Sequence, residues 1–166
     1  QREIAADDFF QGLFTTALDA GEIITGISIS VPKRAAYAKF EQRASRYALV
    51  GVFIVENDGG VRVAVTGAGN DGVFRATAIE QALAGSLSGD AARGVSISPD
   101  DMLSDIHAGG DYRAALVSEM AAQAVEKMLA AWSQLGLRMN KLLVEGGETL
   151  LNRQVWGNYD TLGKHV

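Results

Sequence analysis

The chain has 166 residues, 15 Lys and Arg against 20 Asp and Glu, and a net charge of −5. That length is one domain, or one domain with an appendage, and its 48% hydrophobic and 21% charged fractions belong to a globular chain able to bury a core. The acidic balance argues against nucleic acid and against an anionic membrane surface, while the lack of cysteine excludes disulfides, thiolate nucleophiles and protein-ligated iron–sulfur clusters within this chain.

Two histidines, His107 and His165, are too few for a conventional zinc site. No apolar run reaches the ~20 residues needed to cross a bilayer, so no membrane span is expected. The chain starts at Gln1 with no charged-then-apolar leader, which leads us to expect further sequence upstream. Asp7 and Asp8 precede Phe9, Phe10, Leu13, Phe14, Ala17 and Leu18. This is helical spacing with acids at the favourable end, stopped by Gly21. Ile27, Ile29 and Val31 alternate with serines as a half-buried strand does, and Pro32-Lys33-Arg34 marks a boundary. Lys39 to Tyr47 carries several cations and aromatics. By chemistry alone it reads as an exposed, charged connector, although Lys39 could meet an anion and Tyr47 a flat ring.

Tyr47 to Val55 reads as a central strand. The turn Asn57-Asp58-Gly59-Gly60 and the alternation Val61, Val63, Val65 complete an antiparallel hairpin. Thr77 to Leu83 is a short helix stopped by Gly85. Ser98-Pro99-Asp100-Asp101 has the order of an N-cap, an N1 proline and first-turn acids, which predicts another. Asp111 to Trp132 is the longest helix. Leu116, Met120, Ala124 and Met128 form its buried stripe, and Arg113, Glu119, Gln123, Glu126 and Lys127 lie mainly on the other face. Beyond it, Lys141 to Val144 is strand-like and residues 133–166 read as a tail. Two or three antiparallel strands followed by helices give an α+β class with helices packed on one sheet face.

Few motifs carry chemistry. Gly67-Ala68-Gly69-Asn70-Asp71-Gly72 matches the glycine spacing of a dinucleotide loop. However, it follows a hairpin strand, puts a carboxylate where phosphate would sit, and lacks a parallel strand after it. The clusters Asp7/Asp8 and Asp100/Asp101/Asp105 are explained by helix starts without acid–base work. Gly85-Ser86-Leu87-Ser88-Gly89 has leucine where a nucleophile elbow needs serine. His107 has no acid–base partner in sequence and reads as solvated or capping. No catalytic residue and no metal ligand is assigned.

The order of several segments resembles a known family. They are the Phe9–Leu18 and Glu22–Pro32 stretches, Tyr37-x-Lys39-x-x-x-Arg43-x-x-x-Tyr47-Ala48, Thr66-Gly67-Ala68-Gly69, Arg75-Ala76, Glu80, and Asp111-Tyr112-Arg113-Ala114-Ala115-Leu116-Val117. Together, over about residues 2 to 130, they resemble the FAD-binding medium subunit of molybdenum hydroxylases, the carbon monoxide dehydrogenase and xanthine dehydrogenase relatives. The family commonly has proline before its Arg-Ala pair, where this chain has Gly72-Val73-Phe74. Arginines often follow the family's closing helix, where this chain has Gln123 and Glu126-Lys127.

The resemblance implies that residues 1–32 end the FAD-domain segment, 33–132 form the C-terminal domain, and 133–166 are a tail of unknown role. It implies a fold with an antiparallel three- to four-stranded sheet, and a cytoplasmic oxidoreductase complex. In it a large molybdenum-cofactor subunit and a small [2Fe–2S] subunit pass electrons to FAD, and this domain helps position the flavin without being catalytic alone. Lys39 would make a polar contact to FAD and Tyr47 would lie against its ring. The alternatives are a non-catalytic protein-interaction domain and a nucleotide-binding module using Gly67–Gly72.

Overall fold

The computed structural model describes residues 1–145 apart from Leu13, with side chains described through Ala131. The chain divides into two compact units, Gln1–Met128 and a second beginning at Leu129. The first unit is α+β. Its centre is a four-stranded antiparallel sheet of consecutive strands β3 (Arg34–Glu41), β4 (Ala48–Asn57), β5 (Gly60–Gly69) and β6 (Gly72–Arg75). Three helices, α2 (Thr77–Gly85), α3 (Gly89–Arg93) and α4 (Gly110–Glu145), complete it, and α4 continues into the second unit.

Register explains which sheet face is covered. Ala38 pairs with Val52, Val52 with Val65, and Ile54 with Val63, so these side chains share a face. All are buried, as are Ile79 and Leu83 of α2 and Val117, Ala121, Ala124, Val125 and Met128 of α4. The predicted stripe of Leu116, Met120, Ala124 and Met128 is buried throughout. Strand β3 was hidden in the sequence because its alanines and lysine have low strand preference. It forms by pairing along its whole length with β4, from Arg34↔Glu56 to Glu41↔Ala48.

Five expectations need correction. The helix predicted over Phe9 to Leu18 is only α1 (Ala6–Phe9), followed by the strands β1 (Phe10–Gly12) and β2 (Thr15–Thr16). An isolated amphipathic helix draws its stability from a surface that covers its apolar face. Phe14 is 99% exposed, so among the described residues that surface is missing. Ile27 to Val31 is not a strand, and Ile27, Ile29 and Val31 are exposed, with no strand beside them among the described residues.

Residues 98–101 make a turn and not a helix. Ser98 Oγ accepts from the Asp100 amide (3.3 Å) and donates to Asp100 Oδ2 (2.9 Å). The next backbone groups are taken by the end of β5, with Leu103 N donating to Ala68 O (2.8 Å) and Asn70 N to Asp101 O (2.9 Å). Arg113 is not on the outer face of α4 but buried in the first unit. Lys141 to Val144 lies within α4, as its leucines and lysine favour. Of the tail, residues 146–166 lie outside the described residues.

Helix α3 was unforeseen inside what read as a Gly/Ser loop. Its N-cap is Ser88, whose Oγ accepts from the Ala91 amide at 3.2 Å. Arg93 then ties α3 to α4 through Glu119 (2.9 Å) and Glu126 (2.8 Å). Hydrogen bonds from the guanidinium to both carboxylates raise its pKa further.

Candidate functional site

The sheet face opposite the helices is open. Tyr37 pairs with Phe53, Lys39 with Gly51, and Gly51 with Thr66, so all five side-chain positions project to this face. Tyr37 is 43% exposed and Phe53 45%, a high value for aromatic groups in the middle of a sheet. Gly51, two residues before Phe53 in β4, lets the Tyr37 ring lie low over the sheet. A Cβ there would run into the Tyr37 hydroxyl and come within 3.0 Å of Thr66 Cγ2. The Tyr37 ring therefore lies across a glycine floor, and the result is a shallow aromatic platform.

Lys39, singled out in sequence, lies on this face in β3, and Tyr47 ends the loop that joins β3 to β4. The β3–β4 connection is a closed loop. Gln42 N donates to Tyr47 O (2.8 Å), Arg46 N to Gln42 O (2.9 Å), and Gln42 Oε1 accepts from Ala44 N (2.7 Å) and Ser45 N (3.2 Å). Arg46 sits at φ 60°, a left-handed conformation that costs a non-glycine residue about 1 kcal/mol. Lys39 Nζ holds that residue by donating to Arg46 O at 2.8 Å, with Glu41 at 3.5 Å. Lys39 is thus a brace for the loop that carries Tyr47, and an ammonium has further donors for a ligand. Tyr47 is 69% exposed.

Sequence reasoning missed Tyr37, Gly51 and Phe53 as a group. The signal was a tyrosine and a phenylalanine at positions that become cross-strand partners, which is visible only once β3 is known to be a strand. It assigned Asp105 to a cluster at a helix start and missed what the carboxylate holds. That carboxylate accepts from the amides of His107 (2.9 Å) and Ala108 (3.0 Å) and from Arg113 Nη2 (2.8 Å). The His107 amide above all, with Ala108 and Arg113, holds it below the usual aspartate range. His107 itself is exposed.

The glycines of Gly67–Gly72 serve the hairpin. Gly67 lies at φ 79°, where a Cβ would stand 2.6 Å from Ala48 O. A Cβ on Gly69 would stand 2.8 Å from the Phe74 ring. Asn70-Asp71 is the turn between β5 and β6, and the loop leads into a strand. A groove of about 440 Å³ beside it is lined by Asp71, Asp101 and Arg75, and Arg75 is already paired with Glu80 at 2.6 Å, which disfavours phosphate there. Among the described residues, no group of three or more His, Cys, Asp or Glu could hold a metal ion. No described helix is long and apolar enough to cross a membrane.

Two partly exposed rings, Tyr37 over Gly51 and its cross-strand partner Phe53, with Lys39 on the same face, could receive a flat heteroaromatic group with polar edges. The one glycine loop with phosphate-binding spacing has hairpin geometry.

The chain is 36% identical over 135 residues to the nicotine 6-hydroxylase medium subunit of Paenarthrobacter nicotinovorans. The similarity takes in 75% of this chain and 47% of that protein, so the chain spans about half the length of the relative it matches. No family model matches the chain, and no solved structure matches it.

Proposed function

We propose that this chain is the C-terminal part of the FAD-binding medium subunit of a molybdenum hydroxylase. The observation that carries this reading is the 36% identity to a hydroxylase medium subunit across three quarters of the chain. On it, residues 1–32 close the preceding FAD domain, 33–132 form the C-terminal domain and 133–166 are an appended tail. The complex is cytoplasmic, with a large molybdenum-cofactor subunit and a small [2Fe–2S] subunit as partners. When bound, FAD supplies the redox chemistry, receiving electrons through the [2Fe–2S] clusters and handing them to an acceptor.

This chain's own share is orientation and shielding. Tyr37, Gly51 and Phe53 offer a face for the ring, Tyr47 closes one side, and Lys39 both braces the Tyr47 loop and presents N–H donors to a ring edge. Nothing in this arrangement is asked to do acid–base or nucleophilic work. The exposed Ile27, Ile29 and Val31 favour a second reading, a non-catalytic interaction domain whose contacts lie in that segment.

The test is intact mass and visible absorption of the natural complex containing this chain. A subunit heavier than 17.6 kDa, with flavin absorption and co-purifying molybdenum and iron, is the expected result. A colourless 17.6 kDa species would transfer the case to the interaction-domain reading. The 166-residue chain alone is expected to bind FAD weakly or not at all. Tight stoichiometric binding would count against an FAD site shared between this chain and a preceding domain.

A further inference from the structure

Arg113 occupies a position that a solvated helix face does not explain. It is 2% exposed, in the first turn of α4, with Nη1 donating to Leu49 O (2.8 Å) and to Gly67 O (2.6 Å). Nη2 donates to Asp105 Oδ2 at 2.8 Å, and the buried Nε has no hydrogen-bond partner among the described residues. A buried cation is costly unless its surroundings are arranged for it. Here the arrangement is specific. Regular β4–β5 pairing ends at Gly51↔Thr66. Just beyond, Gly67 takes φ 79° and brings its Cα close to Ala48 O and Leu49 O. The carbonyls of Leu49 and Gly67 then turn toward a common point, and the guanidinium fills it.

These two carbonyls lie just beyond the Gly51–Thr66 pair at one end of the ladder, and the open face of that pair is the floor beneath the Tyr37 ring. Leu49 also follows Tyr47 by two residues, so its position sets where the Tyr47 loop leaves the sheet. We infer that Arg113 is a positioning residue for the open-face platform. From the covered side of the sheet it fixes the alignment of β4 and β5 that places Gly51, Thr66 and Tyr47, and Asp105 holds the guanidinium in that orientation. A neutral side chain would leave the buried Leu49 carbonyl and the part-buried Gly67 carbonyl without this donor. Lysine would supply charge without the planar fork that reaches both carbonyls and Asp105 together. The inference rests on the platform being the flavin face.

The experiment uses the complete medium subunit with FAD and compares Arg113→Lys with Val125→Ala, a fully buried α4 substitution away from the clamp. Amide exchange is read across residues 47–52 and 65–69, and FAD affinity is read by flavin fluorescence at a temperature where every variant is folded. We expect Arg113→Lys to accelerate exchange selectively in those two segments and to weaken FAD binding by roughly tenfold. Val125→Ala should lower the unfolding midpoint and do neither. If Arg113→Lys behaves as Val125→Ala does, losing stability with FAD affinity and local exchange unchanged, the inference is overturned. Tyr37→Leu separates the two levels. If it leaves FAD binding untouched, the platform reading fails and takes this inference with it. If it weakens FAD while Arg113→Lys does not, only the inference falls.

Discussion

Two segments of this chain carry the same pattern and meet different fates. Val61, Val63 and Val65 alternate with other residues, as do Ile27, Ile29 and Val31. In the first segment Val63 and Val65 are fully buried, because β4 lies hydrogen-bonded beside them and helices cover that face. In the second, all three side chains are exposed, and among the described residues no strand pairs with them. Alternation is a statement about which side chains share a face. Whether that face is buried depends on a second surface, and strand hydrogen bonds depend on a neighbour. The N-terminal hairpin shows the same dependence. It lies beside the main sheet where β1 meets β6, and just before it Asp7 of α1 pairs with Arg75 at 3.6 Å, a partly exposed contact of small energetic value.

The comparison can be broken or sharpened by substitution. The largest effect is expected from Ile54→Ala in β4, a fully buried side chain on the covered face, which should destabilise by about 2–5 kcal/mol in denaturant unfolding. A loss of well under 1 kcal/mol would mean that this face is not the core. Next comes Gly67→Ala. Its backbone sits at φ 79° with Ala48 O and Leu49 O against any Cβ, so a loss of more than about 1 kcal/mol is expected. A neutral result would show that the backbone at Gly67 relaxes freely.

The acid limb of stability comes third. Asp105 has its pKa lowered, first by the His107 amide and then by Ala108 and Arg113. Burial pushes Glu80 up, but hydrogen bonds from Arg75 and the Val63 amide outweigh it and leave that carboxyl lowered too. Groups depressed in the folded state contribute stability that is present above their unfolded pKa values, about 4, and lost as pH falls through the folded ones. The unfolding midpoint should therefore drop as pH falls below about 4, and Asp105→Asn should flatten part of that drop. An unchanged acid limb would mean that the Asp105 contacts are not maintained in solution. Smallest of all is Ile29→Ser. In this chain it should change stability by no more than about 0.5 kcal/mol, against the large loss at Ile54. A loss above 1 kcal/mol would reveal a covering surface for residues 27–31.

The sequence by itself determined the α+β class, the β4–β5 hairpin, helix α2 and the apolar stripe of α4. In each of these, periodicity, turn residues and caps agree within a short window. Tertiary structure decided the rest. Strand β3 exists because β4 offers it a continuous ladder, and that pairing alone turns Tyr37, Gly51 and Phe53 into one surface. Ser98–Asp101 has the residues of a helix start, but the end of β5 claims the backbone groups that a helix would use. Arg113 looked like a solvent-facing charge because helical spacing records an angle around an axis and not what lies across from it. Two carbonyls just beyond the end of the β4–β5 ladder, contributed by strands 46 and 64 residues away in sequence, made that angle the buried one. Such long-range polar satisfaction leaves no local pattern, and so it could be read only from the folded chain.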